Sequence, residues 1–222
     1  MLPSGRVHRF ALGGVNAYLV DDGGDWTLVD AGMPWHTDRV RSLLAEAGVD
    51  PADVERVLLT HYDLDHVGTL ASLGLDAPIH VAEPDASYFE GTRVPPLSNH
   101  KGLFQRVTRP LVTVPDLPLE RVVDGETIGG FTAHRTPGHT PGHAAFVHEG
   151  LDAAFVGDLV TGEDDGTLGA SPWVICYDAG QNERSIRAIA DRAGDVDVVA
   201  MGHGNPVRTD GGRQLRRLAD RL

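Results

Sequence analysis

The sequence predicts an α/β sandwich, on three observations. Short β-rich apolar runs recur in both halves of the chain. Segments with helical spacing of apolar residues are interspersed among them. No internal repeat and no linker-like stretch divides the chain, so residues 1–222 are expected to form a single domain.

The elements follow in order. NAYLV (16–20) and WTLVD (26–30) read as a hairpin joined by the turn-forming cluster DDGGD. Residues 37–47 read as a helix, with Val40, Leu43, Leu44 and Ala47 at helical spacing and Gly48 as its stop. VERVLLT (54–60) is a buried strand, a helix is expected to begin in 67–73, and IHVAE (79–83) is a further strand. Residues 91–118 carry Pro95, Pro96, Pro110, Pro115 and Pro118 with little periodicity, which predicts either disorder or a functional flap. Strands resume at 120–123, 131–136, 144–148 and 152–160. A helix is expected over 183–193, a strand over 196–202 and a last, arginine-rich helix from about Gly212 onward.

Composition narrows the function. A formal net charge of -13 argues against nucleic-acid backbones and anionic membranes as partners. Lys101 is the only lysine in the chain. Cys176 is the only cysteine, so neither an internal disulfide nor a thiolate metal cluster is possible, and a structural role is expected for it. No apolar run approaches the length of a membrane span, and the N-terminal residues lack the order of a signal peptide. A cytoplasmic location is the expectation.

The chemistry concentrates in THYDLDH, residues 60–66, which places two histidines and two aspartates within six positions. Imidazole nitrogens and carboxylate oxygens are the donors that divalent metals take. Further candidates follow apolar strands: His139 and His143 in RTPGHTPGH, Asp158 in FVGDLV, and His203 in AMGHGNP. Rigid strand ends with accessible loops are where such folds hold their ligands. Each signal alone is weak, but their ordered combination is specific.

With these motifs, and with NAYLV and LVDAG near the N-terminus, the sequence resembles the metallo-β-lactamase-fold hydrolases, in the broad branch that includes glyoxalase II and the acyl-homoserine-lactone lactonases. The resemblance implies a four-layer αββα sandwich with the metal site at one edge. It implies two divalent ions per chain. One would be held by His61, Asp63 and His139, the other by Asp65, His66 and His203, with Asp158 bridging. His143 would pack behind the ligands, and Asp30 would orient one of them. The departure from the family pattern is Asp63, where histidine is usual. A carboxylate there favours harder ions, so iron or manganese is allowed beside zinc, the first expectation. Replacing Asp63 by His is expected to leave the fold intact.

The implied activity is hydrolysis of a small ester, lactone or thioester-like molecule by a metal-bridging hydroxide. Asp65 would orient the nucleophile and pass its proton to the leaving group, and Tyr177 would assist the substrate carbonyl, as a tyrosine does in the lactonases. Glyoxalase II binds glutathione with lysines and a helical C-terminal extension, and a single lysine and a short tail argue against that substrate. Two alternatives stay open. One is an iron-dependent redox enzyme of the persulfide-dioxygenase kind, whose family keeps histidine where Asp63 stands. The other is a non-catalytic metal-binding regulator.

Overall fold

A computed structural model describes residue 2 and residues 5–163 and 166–222. The expected span 1–222 therefore includes five residues outside that description. Two six-stranded sheets face one another. The first takes its strands in chain order: β1 (Val7–Ala11), β2 (Asn16–Asp22), β3 (Asp25–Val29), β4 (Val54–Leu58), β5 (Ile79–Ala82) and β6 (Leu119–Val122). Strands β1 to β3 pair antiparallel, and β3 to β6 run parallel. The second holds β7 (Thr127–Ile128), β8 (Phe131–Arg135), β9 (Ala144–His148), β10 (Ala153–Gly162), β11 (Leu168–Ala170) and β12 (Val198–His203), with β12 parallel to β10 and the rest antiparallel.

Alternation of side chains across each strand builds three cores from two sheets. In β2, Tyr18 and Val20 point between the sheets, while Ala17 and Leu19 point outward. In β10, Phe155 points between the sheets and Ala154 and Val156 outward. The outer face of the first sheet packs on α1 (Thr37–Glu46), α2 (Leu64–Val67), α3 (Leu70–Leu73) and α4 (Asp85–Glu90), through Val40, Leu44, Leu70 and Phe89. The outer face of the second packs on α6 (Ala179–Arg192) and α7 (Gly211–Ala219), through Ile186, Ile189, Leu215 and Leu218. Each such fully buried side chain contributes about 1.5–3 kcal/mol. The result is the four-layer αββα sandwich.

One segment departs from expectation. Residues 91–118 are not irregular throughout: they contain α5 (His100–Thr108), capped by Asn99, whose side chain accepts from the amides of Lys101 and Gly102. The helix escapes a hydrophobicity reading because it is turned inside out. Lys101 and Gln105 are buried, whereas Leu103 and Val107 face solvent. Among the described residues no helix is long and apolar enough to cross a membrane.

Candidate metal centre

Strand ends of both sheets deliver the donors to one place. The loop after β4 carries His61 and Asp63, and α2 opens immediately after Asp63 and carries Asp65 and His66. The β8–β9 loop supplies His139, the middle of β10 Asp158, and the end of β12 His203. All seven predicted donors converge, in three groups whose ligand atoms lie within 4.8 Å of one another: His61, His66 and Asp158; His61, Asp63 and His139; Asp65, His66 and His203. Asp158 sits at the centre. Its Oδ2 lies 3.1 Å from His203 Nε2 and 3.4 Å from His139 Nε2, and its Oδ1 lies 3.3 Å from His66 Nε2.

Asp158 reaches this position through an irregularity in β10. The β10–β12 register shifts at Gly157, whose φ is +48°. A Cβ there would lie 2.6 Å from Thr60 and 2.8 Å from His143 Nε2, so only glycine lets β10 approach the THYDLDH loop.

Three of the four histidines are oriented through Nδ1. His66 Nδ1 donates to Asp30 Oδ2 at 2.9 Å, and His203 Nδ1 donates to the Gly14 carbonyl at 2.7 Å. Thr60 Oγ1 donates to Asp30 Oδ2 and accepts from His61 Nδ1 at 3.0 Å. Each arrangement turns Nε2 toward the cluster. Asp30 thus takes the orienting place expected of it, in a left-handed turn with φ +56°. His143 also stands behind the donors: its Nδ1 is 2.8 Å from Thr136 Oγ1 and its ring lies 5.2 Å from that of His61.

Three residues escape a sequence reading. Asp85, fully buried in α4, accepts from the Tyr62 amide at 2.8 Å, the Thr140 hydroxyl at 2.6 Å and the Gly142 amide at 2.7 Å, tying the two ligand loops together. Lys101 is buried, and its Nζ lies 2.6 Å from both Asp63 Oδ2 and His139 Nε2. Gln105, one turn along α5, donates to Asp63 Oδ1 at 2.9 Å. Tyr177 is not against the cluster; its hydroxyl donates to Gln105 Oε1 at 2.6 Å. Cys176 is buried beside the Ser171 carbonyl, and burial pushes its thiol up to about 11.

The electrostatics call for cations. Burial opposes charge on His66, yet Asp158, Asp30 and Asp65 hold it well above its ordinary value. Hydrogen bonds to Asp158 and Asp65 raise His203 to about 10. His139 goes the other way, down to about 4, under burial and the neighbouring Lys101 ammonium. Buried His66 Nε2, His61 Nε2 and Asp158 Oδ1 have no hydrogen-bond partner, as donors prepared for an ion would. The residues on the Asp65–His66–Asp158–His203 side therefore fit a divalent metal. A cavity of about 500 Å³ opens over the cluster, floored by Asp65, His203 and Lys101 and walled by Met33, Phe104 and Ile175.

An αββα sandwich with histidines and aspartates gathered at its strand ends is the architecture of metal-binding enzymes of one superfamily. The profile of the metallo-beta-lactamase superfamily matches residues 11–203, and the chain belongs to that superfamily. It is 29% identical over 213 residues to the uncharacterized protein YobT of Bacillus subtilis (strain 168), covering 90% of this chain and 87% of YobT. It is 25% identical over 205 residues to an atrochrysone carboxyl ACP thioesterase of Aspergillus chevalieri, covering 90% of this chain but 54% of that protein. The crystal structure of TTHA1623 in a di-iron-bound form superposes with a TM-score of 0.68 at 28% identity, covering 93% of this chain and 96% of that one.

Proposed function

We propose that this superfamily hydrolase cleaves small esters, lactones or thioesters whose acyl portion is apolar. The observation that carries this reading is the cavity: a floor of metal donors beneath walls supplied by Met33, Leu64, Phe104, Pro172, Val174 and Ile175. An uncharged acyl chain gains by burial against such walls, whereas an anionic one gains little. The likeness to a fungal acyl-carrier-protein thioesterase supports the reading.

Asp65, His66, Asp158 and His203 would hold the ion. Bound there, a divalent metal supplies a hydroxide nucleophile at neutral pH and polarises the reacting carbonyl. Asp65 reaches the cavity with Oδ2 3.3 Å from His203 Nε2, so it can take a proton from the attacking water and return it to the leaving group. The apolar walls exclude water from the acyl side of the reacting bond. Tyr177 acts in this reading as a positioning residue, holding Gln105 and through it Asp63, and not as a group that touches substrate. Zinc stays the first expectation, and the di-iron-bound form of a similar structure supports iron as an alternative.

A panel of straight-chain acyl esters and thioesters tests the proposal. With about 0.8 kcal/mol per buried methylene, kcat/KM is expected to rise roughly fourfold per added carbon until the cavity is filled. Values indifferent to chain length, or a preference for acyl chains ending in a carboxylate, would reject it.

A further inference from the structure

We propose that the Lys101 ammonium is the resident cation of the His61–Asp63–His139 cradle, so that the chain binds one metal ion, on the Asp65–His66–Asp158–His203 side, and not two. The ammonium takes up two of the three cradle residues, Asp63 and His139, while His61 Nε2 keeps no hydrogen-bond partner. Lys101 Nζ lies 2.6 Å from Asp63 Oδ2 and 2.6 Å from His139 Nε2, and those two atoms are themselves 3.2 Å apart.

The chemistry of the donors makes the competition direct. An ammonium can only donate, so His139 Nε2 must accept from it and Nδ1 must carry the ring proton. A neutral imidazole has one accepting nitrogen, and a metal would need the same lone pair. The other three histidines spend Nδ1 on a carboxylate, a hydroxyl or a carbonyl, whereas buried His139 Nδ1 has no hydrogen-bond partner. His139 is thus held by the lysine, where His66 and His203 are held ready for an ion. Asp63 is engaged at both oxygens, Oδ1 by Gln105 and Oδ2 by Lys101.

The pairing also accounts for a carboxylate at position 63. A buried ammonium needs a buried carboxylate to neutralise it, and an imidazole would not serve. Lys101 and Gln105 lie one turn apart on α5, so a single helix face supplies both partners of Asp63. Lys101 also borders the cavity.

This inference takes the metal side from the proposed function, but its test reads metal content and needs no substrate, so either can fail alone. The protein is saturated with zinc, desalted and subjected to elemental analysis. The expected result is one equivalent in the wild type and two in Lys101→Ala, which opens the cradle. Two tightly held equivalents in the wild type overturn the proposal, and so does a single equivalent in a folded Lys101→Ala. A second readout uses the wild type alone. Because Lys101 is the only lysine, protein labelled with 13C-lysine gives one Cε signal. That signal is expected to stay fixed once one equivalent of zinc has bound; a shift saturating at a second equivalent overturns the proposal.

Discussion

Asp63 is the residue on which the centre turns. Buried and joined to Lys101 Nζ at 2.6 Å, it is held well below the usual carboxylate range: burial alone would raise it, and Lys101, His139 and His61 more than offset that. Replacing it by His, expected from the motif alone to leave the fold intact, removes the partner of a buried ammonium. Asp63→His is therefore expected to cost roughly 3–5 kcal/mol of stability in urea unfolding, most of it recovered in the double variant with Lys101→Ala. Additive losses would show that the pair is not coupled. The convergence of His61, Asp63, Asp65, His66, His139, Asp158 and His203 was legible because metal chemistry restricts residue type and the motifs accompany apolar strands. Lys101 was not legible: nothing local marks a lone lysine as buried, and its meaning depends on a carboxylate 38 positions away. Asp85 was hidden for the same reason, since its three partners lie on two distant loops.

Among the elements, α5 and β10 show the limits and the strength of pattern. Nine of the strands were read nearly to their ends, but β1, β7 and β11 were not expected, and β7 and β11 span only two and three residues. α5 was missed because its polar side faces inward and prolines flank it, so hydrophobic periodicity carried no signal. The start of α6 was placed a turn late, at 183, because the first residues after the Asp178 cap, Ala179 and Gly180, offer no apolar spacing. In β10 the glycine of FVGDLV has a specific task. Gly157→Ala puts a Cβ against Thr60 and His143 at a positive φ, and is expected to cost about 1–3 kcal/mol. Because the collision lies beside Asp158, metal affinity should fall with it, by roughly 10–100-fold in chelator competition. A variant with unchanged melting temperature and unchanged affinity would refute the role given to this turn.

Across the whole molecule, Asp22 fastens one sheet to the other. From the end of β2 it accepts from the Gly130 amide at 2.7 Å, lies 2.9 Å from His148 Nε2 on β9, and pairs with Arg56 of β4 at 3.2 Å. Burial alone would raise its carboxyl, but the Gly130 amide, His148 and Arg56 hold it below 3.8. A carboxylate whose folded pKa is depressed contributes stability above its unfolded pKa, and that contribution is lost as pH falls through the folded value. Asp22→Asn is thus expected to cost about 1–3 kcal/mol at pH 7, with the gap to wild type closing below pH 3.8. A gap that stays constant with pH would contradict the assignment. The fold, the superfamily and the donor cluster lead together to one claim, that hydrolysis depends on a metal ion held at the strand ends. The most direct test is acyl-ester hydrolysis by one preparation before chelation, after verified removal of metal, and after its return. Removal is expected to lower activity roughly 10²–10³-fold, and addition of zinc or iron to restore it. Full activity in verified metal-free protein would contradict that claim.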